Sequence, residues 1–291
     1  MQRQTTGSVA HAIDFIEANL SERTGLDQVA RELHYSRYHL HRMFAGTVGM
    51  TIHEYGVRRR LTEAARLLVY SRRPILDIAL GSGYESQQAF TGAFKAMYKV
   101  TPDQFRRAGR FYPLQMKICL RECSGKTDFS KEDIRFAVWE DMEEWMELVH
   151  FSIDGYPCLE EASYKERLRQ CIAREEALVL REKEMLIGVM GISREKGSIE
   201  FLAVHPQYRR HNIEAVFLEK LTEDLFCGRE ISTTTFREGD RADTGYRQVW
   251  RSLGFVEREL LMEYGYPTQR LVLPPVKEET IWKDRKKYVS F

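Results

Sequence analysis

The sequence predicts a multidomain fold, an all-α N-terminal domain followed by an α/β (α+β) C-terminal domain. Residues 8–107 set apolar side chains three and four apart, broken by short polar or Gly-containing joints, without alternation of period two. From about residue 133 the pattern turns to short β-rich runs (IRFAV, ALVL, MLIGVMGI, SIEFLAV, ISTTTF, ERELLMEY) between helical stretches. A length of 291 residues suits two domains of roughly 100–200 residues each. The expected division is a helical domain over 1–110, a linker over 111–132 with Pro113 and Gly125, a mixed domain over 133–273, and a tail over 274–291 with the basic run Lys283, Arg285, Lys286, Lys287. Helices are expected at about 8–20, 26–33, 36–46, 51–70, 75–81, 86–98 and 102–107.

Composition narrows the class. With 43% apolar and 11% aromatic residues the chain can bury a sizeable core, which excludes global disorder, collagen and coiled coil. The longest strongly apolar stretch, Met185 to Ile192, is far short of the ~20 residues that cross a bilayer, and the first residues lack an apolar signal core. The expectation is a soluble cytoplasmic protein. Five cysteines (Cys119, Cys123, Cys158, Cys171, Cys227) without a CxxC read as reduced structural thiols rather than a disulfide framework or zinc site. The net charge of +1 hides an asymmetry: residues 1–112 carry 16 Lys+Arg against 10 Asp+Glu, so the acidic excess lies in the remainder. The basic part is the one suited to a polyanion.

Within the helical part, LDQVARELHYSRYHLHRMF forms a helix pair. Val29, Ala30 and Leu33 point inward on a short first helix, and Ser36 is a good N-cap for the second. On that second helix Leu40, Met43 and Phe44 share the buried face, which leaves Arg37, Tyr38, His41 and Arg42 on the opposite one. The segment ILDIALGSGYESQQAFTGAFKAMYKVTP repeats the plan fifty residues later. Ile75, Ile78 and Ala79 precede a Gly-containing joint, Ser86 opens the next helix, Phe90, Ala93, Phe94 and Met97 face inward, and Gln87, Gln88, Thr91 and Lys95 face out. Glutamine can pair bidentately with adenine, and threonine can meet a polar base edge or the thymine methyl. The expected connecting helix over 51–70 would span about 30 Å, close to the ~34 Å between successive major grooves. Arg58, Arg59, Arg60 and Arg66 on it are candidates to flank phosphates, although a charge run of this kind is more often a solvated face.

These residues resemble the AraC/XylS family, its MarA-like subgroup in particular, through HYSRYHLHRMF and DIALGSGYESQQAFTGAFKAMYKVTPDQFRR. The resemblance implies a double helix-turn-helix domain that binds duplex DNA. It places Tyr38, His41 and Arg42, and Gln87, Gln88 and Thr91, at base- or phosphate-contacting positions. With their helix neighbours, the expected DNA set is Ser36, Arg37, Tyr38, His41, Arg42, Ser86, Gln87, Gln88, Thr91 and Lys95. Two departures bear on the target sequence: Gly92 stands where MarA-like members often have Arg, and Lys99 where many members have Gly.

In the mixed part, SIEFLAVHPQYRRHNIEAVFLEKLTEDL runs from strand through turn to helix, a geometry whose free backbone N–H groups can cradle a pyrophosphate. It resembles motif A of the GNAT acetyltransferases, and WRSLGF resembles their late helix-to-strand element. That resemblance implies acetyl-CoA as cofactor and puts Val204, Arg209, Arg210, His211 and Asn212 at its site. The departures fall on the chemistry. Asn212 and Glu214 occupy positions where the family has Gly, and Glu214 would bring a like charge to a pyrophosphate. Trp250 stands where active members often have a Tyr acid, and indole cannot give up its proton at any useful pH. Glu200 reads as an outward strand residue, His205 as a turn residue and Tyr246 as a helix aromatic, so no catalytic residue is assigned. Glu140, Asp141, Glu143, Glu144 and Glu147 read as the solvated face of a helix whose other face holds Met142, Trp145, Met146 and Val149. No metal-ligand spacing, GKT/S loop or GxSxG elbow occurs.

The expectation is thus a sequence-specific transcriptional regulator whose degenerate acetyltransferase-like domain serves ligand sensing or protein contact. The alternative is a regulator fused to an active N-acetyltransferase. Expected partners are double-stranded DNA, a small-molecule effector at the C-terminal domain, and RNA polymerase; no membrane partner is expected.

Overall fold

A computed structural model describes residues 2–22, 24–120, 128–152, 161–263 and 265–275. Cys123, Cys158 and the expected tail beyond residue 275 lie outside them, as does Gly125 of the expected linker.

The first helix pair is α2 (Leu26–Glu32) and α3 (Arg37–Val48), with α1 (Gln2–Ala18) packed behind. The second is α5 (Ile75–Gly81) and α6 (Gln87–Tyr98), closed by α7 (Pro102–Ala108), and α4 (Ile52–Tyr70) joins the two units. The caps explain the boundaries. Ser36 Oγ accepts from the His39 amide and Ser86 Oγ from the Ala89 amide. One turn beyond α3 and α6, Thr51 and Thr101 open the next helix with capping boxes closed by Glu54 and Gln104. These pairs repeat at an offset of fifty. At 19 residues α4 spans about 29 Å.

The C-terminal sheet runs β1 (Ile134–Phe136), β2 (Ala177–Glu182), β3 (Met185–Ser193), β4 (Ser198–Val204), β5 (Ile231–Phe236), β7 (Tyr266–Leu273), β6 (Val256–Glu263) in spatial order. All neighbours are antiparallel except β4 and β5, which are parallel and register at one pair, Ser198 with Ser232. The two strands therefore part toward their C-terminal ends. Helices α8 (Met142–Ser152), α9 (Glu161–Ala173), α10 (Ile213–Lys220) and α11 (Tyr246–Ser252) cover the sheet.

The core crosses the expected division. One apolar cluster holds Leu61, Phe94, Tyr98 and Phe105 of the helical part, Tyr112 and Leu114 of the joint, and Trp145, Val149 and Val189 of the sheet part. The stretch 112–118 is therefore no free tether: Tyr112, Leu114, Gln115 and Ile118 are buried, and the Thr62 hydroxyl accepts from the amides of Leu114 and Gln115.

Two expectations about charged faces are corrected. Arg58, Arg59 and Arg60 do not flank phosphates from this position, for all three are buried. Arg58 Nη2 donates to the Ala242 carbonyl at 2.7 Å, and Arg59 makes a two-pronged pair with Glu17 at 2.7 and 2.8 Å. Arg66 alone of the four is exposed, paired with Glu63. Asp141 is not on a solvated face either. It is buried and gripped by Arg135 through both oxygens. Burial pushes its carboxyl up, but the Arg135 bond, the Val138 amide and the nearby Arg181 outweigh that and hold it below the usual range.

Candidate nucleic-acid interface and the loop at its back

The outward polar faces of α3 and α6 are open to solvent. Arg37, Tyr38, His41 and Arg42 on α3 are exposed, Tyr38 at 85%. On α6 Gln87, Gln88 and Lys95 are exposed and Thr91 is half-buried. Leu40 and Phe44 behind the first stripe, and Phe90 and Phe94 behind the second, are fully buried and fix the rotation of each helix. Ser36 and Ser86 stand at the helix starts as caps, where the N-terminal residues of a recognition helix meet the bases. Arg37 is held by Asp27 at 2.6 Å in an exposed pair, weak enough to yield to a phosphate.

The far ends of the same helices meet side chains of the sheet part. Each ends in a left-handed residue: Gly49 at φ 79° on α3 and, fifty positions on, Lys99 at φ 66° on α6. At Gly49 the contacting group is Arg209, whose Cδ would lie 2.6 Å from any added Cβ although Gly49 itself is exposed, and Arg210 Nη1 would lie 3.4 Å from one on Gly46. At the second end Lys99 itself reaches out. Its Nζ donates to Asp240 at 2.5 Å and lies 5.2 Å from the Phe236 ring centre, with Lys99 and Asp240 both largely out of solvent. Between these contacts is a cleft of about 960 Å³ lined by Met50, Val57, Arg58, Tyr84, Met97 and the 239–245 loop.

The expected acetyl-CoA residues assemble as strand, turn and helix. Val204 ends β4 buried, a 3-10 turn Pro206–Tyr208 follows, and Arg209 to Asn212 lead into α10. Asn212 takes the left-handed conformation (φ 52°) that it tolerates. The remainder does not fit a pyrophosphate. Arg209 is turned onto Gly49 of α3, and Glu214 is buried in the first turn of α10, where burial pushes its carboxyl up against the opposing pull of Arg209. Arg210 is exposed and His211 half-buried. Trp250 is buried against Phe255, a core residue. Glu200 is exposed, His205 is buried with Nδ1 accepting from the Gln207 amide, and Tyr246 packs half-buried beside the sheet.

A model of the helix-turn-helix domain matches residues 29–108, and a model of the acetyltransferase (GNAT) domain matches residues 147–263. The multiple antibiotic resistance protein MarA of Salmonella typhimurium is 39% identical over 108 residues, covering 36% of this chain and 85% of MarA. The chain belongs to the AraC-type helix-turn-helix family. Transcriptional regulator Rob of the same organism is 36% identical over 135 residues, 46% of this chain and 45% of Rob, so the chain spans about half the length of such relatives. A solved regulator with an AraC-type DNA-binding domain from Chromobacterium violaceum is 26% identical over 37% of this chain and 96% of its own, with a TM-score of 0.35.

Residues the sequence reading did not assign are Gly49, Asp240 and Phe236, together with the outward role of Lys99. A signal for Lys99 was present, since a lysine where a left-handed cap favours glycine calls for a compensating contact.

Proposed function

We propose that this AraC-type protein is a sequence-specific transcriptional regulator that reads duplex DNA with Arg37, Tyr38, His41 and Arg42 of α3 and Gln87, Gln88, Thr91 and Lys95 of α6. The observation that carries the reading is two exposed polar stripes on equivalent helices, separated by a connecting helix of about 29 Å. Its partners are then DNA, in the cytoplasm, and the transcription machinery. The acetyltransferase-like domain acts as an interaction or sensing module rather than as a catalyst, supported by the buried Trp250 and Glu214. The cleft between it and the helix pairs is where a small-molecule effector would bind with most influence on both.

Binding to labelled duplex from 50 to 200 mM salt tests the reading. Affinity falls steeply as phosphate contacts release counterions, and sites selected from random DNA converge on one consensus. A flat salt response or no consensus refutes it. Incubation with acetyl-CoA and a panel of amines checks the second part; turnover there restores the enzyme reading.

A further inference from the structure

The acetyltransferase-like domain touches the two helix pairs at equivalent places. Gly49 and Lys99 are the same position of the fifty-residue plan, each the left-handed residue that closes a recognition helix. The domain meets the first with Arg209 and the second with Asp240 and Phe236. The polarity of the contact reverses: at α3 the cation comes from the acetyltransferase-like side, at α6 from the helix pair. In both cases a cation stands beside a helix C-terminus, where the dipole favours it. Between the two contacts Arg58 of α4 is bonded to the Ala242 carbonyl, so the 239–243 loop also grips the connecting helix.

Helix α4 by itself can bend or twist between the two pairs, and base readout in successive grooves tolerates little of either. We propose that the acetyltransferase-like domain is a splint, holding both recognition helices by their distal ends at one spacing and leaving the N-terminal turns free to read DNA. The loop that resembles a pyrophosphate cradle is one jaw of that splint, and its partner is this chain's own α3. This rests on the DNA-binding reading and adds the element that sets its geometry.

The chemistry of the jaw agrees with a docking pad. Gly49 admits Arg209 because it lacks a Cβ. Arg209 Nε and Nη1 are buried without a hydrogen-bond acceptor among the described residues, so a pyrophosphate would gain them only by opening the contact with α3. The splinted state and a nucleotide-type ligand at Arg209 exclude each other.

The test uses the full chain, a duplex from site selection, and duplexes with one or two base pairs added between the half-sites. Gly49→Ala puts a Cβ into Arg209. Lys99→Gly relieves a left-handed lysine while deleting the second jaw, and Asp240→Asn weakens that jaw from the other side. Gly109→Ala is the matched control, with a left-handed glycine (φ 63°) and open space where its Cβ would go. The three jaw variants are expected to lose about tenfold in affinity for the selected site, and to discriminate less between spacings than the parent chain does. Gly109→Ala should keep the parent's preference, and circular dichroism checks that each variant is folded. Parental affinity and spacing preference in folded Lys99→Gly and Asp240→Asn would overturn the splint, as would equal effects of Gly49→Ala and Gly109→Ala. Acetyl-CoA bound tightly by the parent chain without loss of DNA affinity would overturn it too. If no variant or parent binds duplex, the DNA-binding reading fails first.

Discussion

The two helix pairs share one frame and fill it differently. Ser36 and Ser86, Gly49 and Lys99, and Thr51 and Thr101 occupy matching positions, so boundaries and caps repeat. The helix after each pair is anchored by unlike chemistry. In the first, Tyr55 donates to Glu17 at 2.6 Å and Glu17 takes both prongs of Arg59, a buried network that reaches back to α1. Tyr55 is held well above its usual range by burial and by Glu17. In the second, Phe105 takes the place of Tyr55 and joins Phe94, Tyr98 and Tyr112 in a cluster with ring centres 4.3–5.4 Å apart. Turn chemistry and apolar spacing thus set the motif, while its interior accepts either a satisfied charge network or stacked rings.

The comparison breaks hardest in the interiors. Arg59→Ala should cost about 3 kcal/mol in urea unfolding, because it leaves the mostly buried Glu17 carboxylate with only the Tyr55 hydroxyl as donor. Phe94→Ala should cost a similar ~3–5 kcal/mol by opening a cavity. The two differ in rescue. Replacing Glu17 together with Arg59 by apolar residues of like size should return much of the loss, whereas no second substitution near Phe94 removes its cavity as simply. A double variant no more stable than Arg59→Ala would show that the charges themselves specify the α1 contact.

The outer faces come next. Arg42→Ala and Gln87→Ala should each weaken binding to a selected site by about 1–3 kcal/mol if they meet base edges. Only the first removes a charge, so a phosphate role for Arg42 would show as a salt slope lower by about one. An unchanged consensus with Gln87→Ala would remove direct readout from α6.

A smaller effect separates the acetyltransferase-like loop from a phosphate cradle. Burial raises the Glu214 carboxyl, so the folded chain holds that proton more tightly than the unfolded chain. The group's contribution is present below the ordinary carboxylate range and is lost as pH rises through the raised folded value. Glu214→Gln should therefore melt higher than the parent at pH 8 and level with it at pH 4. A gain of the same size at both pH values would assign the effect to packing.

Most of the helical part was legible, because its signals are local; the exception is the first helix, expected over 8–20 and found over Gln2–Ala18. Ser36 and Ser86 mark helix starts, and Leu40, Phe44, Phe90 and Phe94 recur at helical spacing. The expected 75–81 matches α5 and 51–70 lies within one residue of α4. What failed depends on partners far along the chain. Arg58 meets a carbonyl 184 residues away, Arg59 a carboxylate 42 residues back, and Lys99 an aspartate 141 residues on. A run of three arginines on a helix reads as a solvated or anion-facing surface until those partners are known. The acetyltransferase-like strand and turn were also legible, but that α3 covers Arg209 was not, since nothing in RRHNIEA states what lies over it.

The finest difference between the units is Gly92, which stands where the first unit has Arg42. It is exposed within α6, and a Cβ there would meet nothing within 4 Å. A glycine inside a helix costs about 0.8–1.0 kcal/mol relative to alanine, and arginine is nearly as good a helix former. Gly92→Ala and Gly92→Arg should therefore each stabilise the chain by about 0.5–1 kcal/mol in urea unfolding, the same within error. Their DNA affinities should part, because only arginine restores a long donor to the outward stripe beside Gln88 and Lys95. Tighter binding by Gly92→Arg with a shifted consensus would mean that the position faces bases, and tighter binding with an unshifted consensus and a steeper salt slope would mean that it faces phosphates. Identical affinities for the two variants would turn this side of α6 away from DNA and leave its reading to Gln87 and Gln88.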